Sequence, residues 1–229
     1  MKYELIIFDA DETLLDFKRA EEDAFENTMI YFNLDYSRKN YLKVYREINE
    51  AVWDEFEKEL ISAEDLKVER FKRFFKAVNL DLNPKKANEL YMDKLCKSCF
   101  VLDGAVDILR ELQGKFKLAL VTNGLVDVQD IRIRQSEIAK FFHTIVISEE
   151  IGVAKPNPEI FKYTFEKVGH MDKETALVVG DSLKSDIKCG ISFGIDTCWF
   201  NPKRLQNDTN IKPVYEINSL GRLKDIVYR

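Results

Sequence analysis

The sequence predicts an α/β fold: a parallel sheet covered on both faces and interrupted after its first strand by a helical insert. Three observations predict it. Leu5-Ile6-Ile7-Phe8 is a short, continuous apolar run, the pattern of a strand buried on both faces. The stretch from Phe17 to Cys99 contains no glycine and carries its apolar residues at helical spacing. After Gly104, apolar runs alternate with amphipathic stretches, which implies strand–helix units and hence a parallel sheet.

Within the insert, Tyr41, Val44, Tyr45, Ile48, Val52 and Phe56 share one helical face, and Val68, Phe71, Phe74, Phe75 and Val78 share another. Asn83 before Pro84 reads as an N-cap followed by proline at the first helical position. Phe71, Phe74 and Phe75 are expected in the core of a helical bundle rather than in a cofactor box. The charges from Glu55 to Glu59 are expected on a solvated face. Beyond the insert, strands are expected at Leu118 to Val121, Ile145 to Ile147, Ala176 to Val179 and around Thr197 to Trp199. Helices are expected over Ile160 to Val168 and Ile187 to Phe193. Hinges near Asp16-Phe17 and Leu102-Asp103-Gly104 divide the chain into a core of residues 1–16 and 100–229 and an insert of residues 17–99.

A chain of 229 residues can bury a sizeable core without disulfides or a structural metal. Its formal net charge of -5 disfavours nucleic-acid polymers as partners. A small phosphorylated substrate is still allowed, because a metal ion and a few cations offset local repulsion. The N-terminal apolar run is too short for a signal peptide and ends in acids. No apolar stretch approaches the roughly 20 residues of a membrane span, so a cytoplasmic protein without a membrane partner is expected. Cys96, Cys99, Cys189 and Cys198 read as reduced thiols. Cys96 and Cys99 form a C-x-x-C without two further zinc ligands at suitable spacing, a redox pair being the alternative.

Four polar signals follow four apolar runs: Asp9-Ala10-Asp11-Glu12-Thr13, Thr122-Asn123-Gly124, Lys155-Pro156, and Gly180-Asp181-Ser182 with Asp186. In a parallel sheet the strands all end on one side, where ligands of open α/β sheets bind. Asp9, Asp11 and Asp181 would form a cluster of oxygen ligands whose mutual repulsion a hard cation relieves, and magnesium suits carboxylates, water and phosphate. Lys155 adds positive charge, while Thr122 and nearby backbone N–H groups, Asn123 included, can hold phosphate oxygens. This is the equipment of phosphoryl transfer. Each signal alone is weak, since an Asp-x-Asp can cap a helix and a Gly-Asp-Ser can be no more than an N-cap. Their order, each where a buried strand should end, is what points to a site.

These residues resemble the haloacid dehalogenase (HAD) superfamily. Ile6 to Leu14 is similar to its first motif, Thr122 to the second, Lys155 to the third, and Gly180-Asp181 through Asp186 to the fourth. The resemblance spans nearly the whole chain. It implies a Rossmann-like core with a helical cap inserted after the first motif, and it implies roles. Asp9 would be the nucleophile and Asp11 the general acid/base. Thr122, Asn123 and Lys155 would bind phosphate. Asp9, Asp181 and the backbone carbonyl of Asp11 would hold magnesium, with Asp186 supporting the metal or Lys155. A carboxylate at Asp11 implies a phosphatase or phosphomutase rather than a dehalogenase. Many members carry glycine where this chain has Glu12. With Asp16-Phe17, Ile147 to Pro156 and Thr197 to Asn201, that departure resembles the bacterial pyrimidine 5′-nucleotidases, which implies a nucleoside monophosphate as substrate. Sister groups act on sugar phosphates or phosphoglycolate, and a binding protein that has lost its chemistry is the non-enzyme alternative. Phe17, Asn201 and Arg204 are candidates to reach the leaving group, against the alternative of a hinge or an exposed loop.

Overall fold

The structure, a computed structural model, describes residues 1–34, 40–58 and 60–229. Its strands are β1 (Leu5–Phe8), β2 (Lys117–Thr122), β3 (Thr144–Ile147), β4 (Ala176–Gly180), β5 (Asp196–Phe200) and β6 (Tyr215–Ile217). They form one sheet in the order β3-β2-β1-β4-β5-β6, with every described pair parallel. Four of the five expected runs extend by a residue or two, and β6 is an addition. Neighbouring strands on both sides leave β1 fully buried, which is why its sequence runs apolar without alternation.

The described residues divide into two compact units, Met1–Phe17 with Phe100–Arg229, and Lys18–Cys99. The second unit is helical. Its helices are α1 (Phe17–Tyr31), α2 (Tyr41–Glu57), α3 (Ala63–Ala77) and α4 (Pro84–Lys97). Ser62 and Asp65 close a reciprocal capping box at the start of α3. The Asn83 side chain accepts from the Lys86 N–H at the start of α4, with Pro84 in the first turn. Phe25, Tyr45, Phe71, Phe74 and Tyr91 are fully buried and form a ring cluster with centroids 4.7 to 5.9 Å apart. Such edge and tilted pairs add about 0.5–1.5 kcal/mol each beyond their burial. In the acidic stretch, Glu55 is tied to Arg73 through both oxygens, at 2.6 and 2.8 Å, rather than simply facing water. Glu59 lies outside the described residues.

The sheet unit adds α5 (Ala105–Leu112), α6 (Val126–Gln129), α7 (Ser148–Ile151), α8 (Glu159–Val168), α9 (Lys188–Phe193) and α10 (Lys224–Val227). Asp130–Arg134 prolongs α6, and Leu183–Ile187 precedes α9, both in π-helical geometry. One face of the sheet, with Leu5, Ile7, Ala119, Val121 and Val178, packs against Ile160, Phe161 and Phe165 of α8 and Cys189 of α9. The two segments that lead out of this unit and back into it are bonded to each other. The Asp16 N–H donates to the Phe100 carbonyl at 2.8 Å and the Leu102 N–H to the Leu14 carbonyl at 2.9 Å, flanking an antiparallel bridge between Leu15 and Val101. Among the described residues, no helix is long and apolar enough to cross a membrane.

Candidate active site

The strand order places β1 between β2 and β4, and the direction of winding reverses at β1/β4. The carboxyl ends of the strands at such a reversal are the usual ligand position in open α/β sheets. Phe8, the last residue of β1, stands in register with Leu120 of β2 and Val179 of β4, so β2 runs two residues further and β4 one. Asp9 therefore emerges from the centre of the sheet, beside Thr122 on one side and Asp181 on the other.

At the middle of the site is a buried lysine. Lys155, 2% exposed, donates from Nζ to Asp9 Oδ1 at 2.6 Å, to Asp186 Oδ1 at 2.7 Å and to the Val121 carbonyl at 2.9 Å. All three ammonium protons are thus directed. The backbone of Lys155 is held as firmly, because the Asn123 side chain accepts from its N–H and donates to its carbonyl, both at 2.8 Å. Asp9 Oδ2 accepts from the Thr13 hydroxyl at 3.1 Å, and that hydroxyl oxygen accepts from the Asp181 N–H at 3.1 Å. The Trp199 indole donates to the Asp181 carbonyl at 2.8 Å. Asp186 Oδ2 accepts from the Ser182 N–H at 3.0 Å. Gly180 makes room for this last carboxyl, since a Cβ there would lie 2.3 Å from Asp186 Oδ2.

Electrostatics set this cluster apart. Carboxylate oxygens of Asp9, Asp181 and Asp186 lie within 4.8 Å of one another. Burial pushes Asp9 up to about 7, Lys155 pulls it back, and Asp186 pushes it further up. Burial and the nearby Asp9, Asp186 and Glu12 push Asp181 up to about 8. Burial alone would lower Lys155, yet Asp186 and Asp9 outweigh it and hold the ammonium above its usual range. Three carboxylates around one ammonium leave a surplus of negative charge on hard oxygen donors. Those residues fit a hard divalent cation of the magnesium type.

Asp11 faces another way. Its Oδ2 accepts from Gln129 Nε2 at 2.7 Å and its Oδ1 from Arg132 Nη1 at 2.9 Å. Gln129 Nε2 also reaches Thr122 Oγ1 at 3.2 Å. Glu12, next in the chain, has φ of 62°, a left-handed conformation that favours glycine.

A family model for haloacid dehalogenase-like hydrolases matches residues 3–194. The chain belongs to this family. Among relatives of this hydrolase, the pyrimidine 5′-nucleotidase YjjG of Escherichia coli is 35% identical over 99% of each chain. The pyrimidine 5′-nucleotidase PynA of Streptococcus pneumoniae is 33% identical over 98% of this chain and 95% of its own. The crystal structure of the putative HAD-hydrolase YfnB of Bacillus subtilis, bound to magnesium, superposes with a TM-score of 0.92 at 34% identity, covering 100% of both chains.

The sequence reading placed Asp9, Lys155, Asp181 and Asp186 at strand ends, and the fold of the hydrolase brings all four into one cluster. Asn123, assigned to phosphate with the backbone N–H groups of its turn, exchanges two side-chain hydrogen bonds with the backbone of Lys155, which tie that turn to the lysine. Phe17 lies under the Arg132 guanidinium, 5.2 Å from the ring centroid. Asn201 is 2% exposed and fixed by Leu205 and Glu216, so it serves the loop after β5. Gln129 and Arg132 escaped the sequence reading. Their one signal is a spacing of three residues just after the Thr-Asn-Gly turn, and neighbouring Asp127 and Asp130 make that stretch look solvated.

Proposed function

We propose that this hydrolase is a magnesium-dependent phosphatase of small phosphate monoesters that works through an aspartyl-phosphate on Asp9. Its proposed substrates are pyrimidine nucleoside 5′-monophosphates. The observation that carries the proposal is the Asp9 carboxylate at the winding reversal, 2.6 Å from a buried ammonium and beside Asp181 and Asp186. That is a nucleophile with its charge compensated, placed where a phosphate can enter.

Asp9, Asp181 and the backbone carbonyl of Asp11 would hold magnesium, which when bound supplies the positive charge that draws and neutralises a phosphate. The remaining chemistry belongs to the chain. A carboxylate oxygen of Asp9 forms a bond to phosphorus as the bond to the leaving oxygen breaks. The Asp11 carboxyl gives its proton to that oxygen, and the alcohol departs. Asp11, now a carboxylate, takes a proton from a water whose oxygen attacks phosphorus. The bond to Asp9 breaks, inorganic phosphate leaves, and both aspartates return to their starting forms. Lys155, the Thr122 hydroxyl and the Asn123 N–H would bind the phosphoryl oxygens, and Lys155 offsets charge as it builds in the transition state.

These groups address only the phosphate, so choice of leaving group is assigned to the helical unit Lys18–Cys99, acting as a cap. The names of YjjG and PynA support a pyrimidine nucleotide, and the magnesium bound to YfnB supports the metal. The test compares kcat/KM for dUMP, dTMP and UMP with AMP, glucose 6-phosphate and phosphoglycolate. The pyrimidine nucleotides are expected to lead, without a bisphosphate activator. A tenfold lead for a sugar phosphate or phosphoglycolate, about 1.4 kcal/mol of transition-state preference, overturns the nucleotidase reading. No turnover of p-nitrophenyl phosphate overturns the phosphatase reading itself.

A further inference from the structure

We infer that Gln129 and Arg132 are positioning residues that fix the plane of the Asp11 carboxyl for proton transfer; this rests on the phosphatase reading above, in which Asp11 is acid and base. One donor on each carboxyl oxygen, Gln129 Nε2 at 2.7 Å and Arg132 Nη1 at 2.9 Å, fixes the last torsion of Asp11. A carboxylate offers about four lone-pair positions, so those that point elsewhere stay open to a proton.

The clamp is braced from behind. Arg132 Nη1 also donates to Gln129 Oε1 at 3.1 Å, and the guanidinium is fully buried against the ring of Phe17. Burying a guanidinium is costly unless its partners are well placed, and an apolar residue would fill the same space at less cost. The partner here is Asp11, whose carboxyl Lys155 does not hold. Gly124 supplies an independent observation. A Cβ there would lie 2.6 Å from Gln129 Cγ and 2.8 Å from Gln129 Nε2. The glycine of the Thr-Asn-Gly turn is thus needed for space, and the space is filled by the residue that reaches Asp11. The clamp sits where α6 passes into π-helical geometry, a distortion found often at functional sites.

The test uses leaving groups. A nucleoside 5′-phosphate expels an alkoxide that must be protonated, whereas p-nitrophenyl phosphate expels a stable phenolate that needs no acid. Arg132→Ala and Gln129→Ala are expected to lower kcat/KM for dUMP by about a hundredfold and to change that for p-nitrophenyl phosphate by less than about threefold. Inhibition by inorganic phosphate should stay unchanged. Gly124→Ala, which alters neither clamp residue, should give the same pattern in milder form, and Arg132→Lys should recover part of the loss. Adding Arg132→Ala to Asp11→Asn should cost nothing further, because both act through one group. Equal losses on the two substrates, or additive losses in the double variant, overturn the proposal. Failure of the underlying reading looks different: Asp9→Asn would then keep its turnover. If Asp9→Asn is inactive and Arg132→Ala treats both substrates alike, only the positioning role fails.

Discussion

The helical unit and the sheet unit both bury charge, and they treat it differently. In the helical unit, Glu21 is held by Arg46 Nε at 2.6 Å with Asn49 alongside. Arg70 donates to Asn88 Oδ1 at 2.5 Å, with its guanidinium 4.8 Å from the Tyr91 ring centroid. There Glu21 meets an opposite charge, and Arg70 meets a neutral amide oxygen and an aromatic face. In the sheet unit, carboxylate oxygens of Asp9, Asp181 and Asp186 gather within 4.8 Å of one another, and Lys155 is ion-paired with Asp9 and Asp186. A matched pair maintains a fold, whereas a surplus of negative charge raises the free energy of a site, and a cation of the kind proposed above would relieve it. The imbalance, more than the burial, separates the site from the scaffold.

Breaking the surplus cluster should produce the largest effects. Asp9→Asn is expected to reduce phosphatase turnover to background, because it removes the proposed nucleophile, while removing one excess carboxylate leaves the metal-free protein folded. Steady-state kinetics with circular dichroism reads both; a folded Asp9→Asn protein with substantial activity ends the covalent mechanism. Next come two lysine-or-arginine deletions set side by side. Lys155→Ala leaves buried carboxylates uncompensated and should cost about 3–5 kcal/mol of stability together with at least about a hundredfold in kcat/KM. Arg46→Ala strips Glu21 of its partner and should cost about 1–3 kcal/mol in urea unfolding while turnover of p-nitrophenyl phosphate is retained. Similar activity losses in the two variants would erase the distinction between site and scaffold.

A smaller effect sharpens the same comparison. Asp9 and Asp181 keep their protons up to about 7 and about 8 in the metal-free fold. In the unfolded chain they lose them near 4. The folded state thus binds more protons across that window, so these two groups make it less stable as pH rises from about 4 to about 8. In the proposed metal site magnesium would displace those protons, so its increase in Tm should be larger at pH 8 than at pH 6. An equal increase at both values would remove Asp9 and Asp181 from the metal site. The smallest effect belongs to Glu12. Replacing it by glycine relieves a left-handed residue and one carboxylate that pushes Asp181 up, against the entropy of an added glycine. Thermal denaturation of Glu12→Gly should show a net gain of no more than about 1 kcal/mol; a net loss would mean that what the Glu12 side chain contributes outweighs the strain of its left-handed backbone.

Much of the sheet was legible because buried parallel strands write themselves as unbroken apolar runs and their ends are marked by polar turns. Strand β6 was not, since Tyr215–Ile217 is three residues at an edge and too short for any periodicity. The residues at strand ends could be read from order alone. What surrounds them could not, because it depends on where side chains pass one another. Nothing in the sequence says that Gly180 must yield space to Asp186 or Gly124 to Gln129, and a buried arginine such as Arg132 looks no different from an exposed one. The pairing of the Asn123 side chain with the backbone of Lys155 was hidden for a related reason, its partner lying thirty-two residues on.

The bonded pair of crossing segments has a consequence for how such a chain can be elaborated. Leu14 to Asp16 and Phe100 to Leu102 run side by side at strand spacing, about 5 Å apart. The whole helical unit hangs from one doorway of fixed width. For a folded insert whose two ends already meet that spacing, the entropy of closing the doorway no longer depends on how many residues lie beyond it. The insert can therefore be enlarged, shortened or exchanged without stretching a connection between strands. Under the proposed function, leaving-group preference could change with the insert while the hydrogen bonds among Asp9, Lys155 and Asp186 are kept.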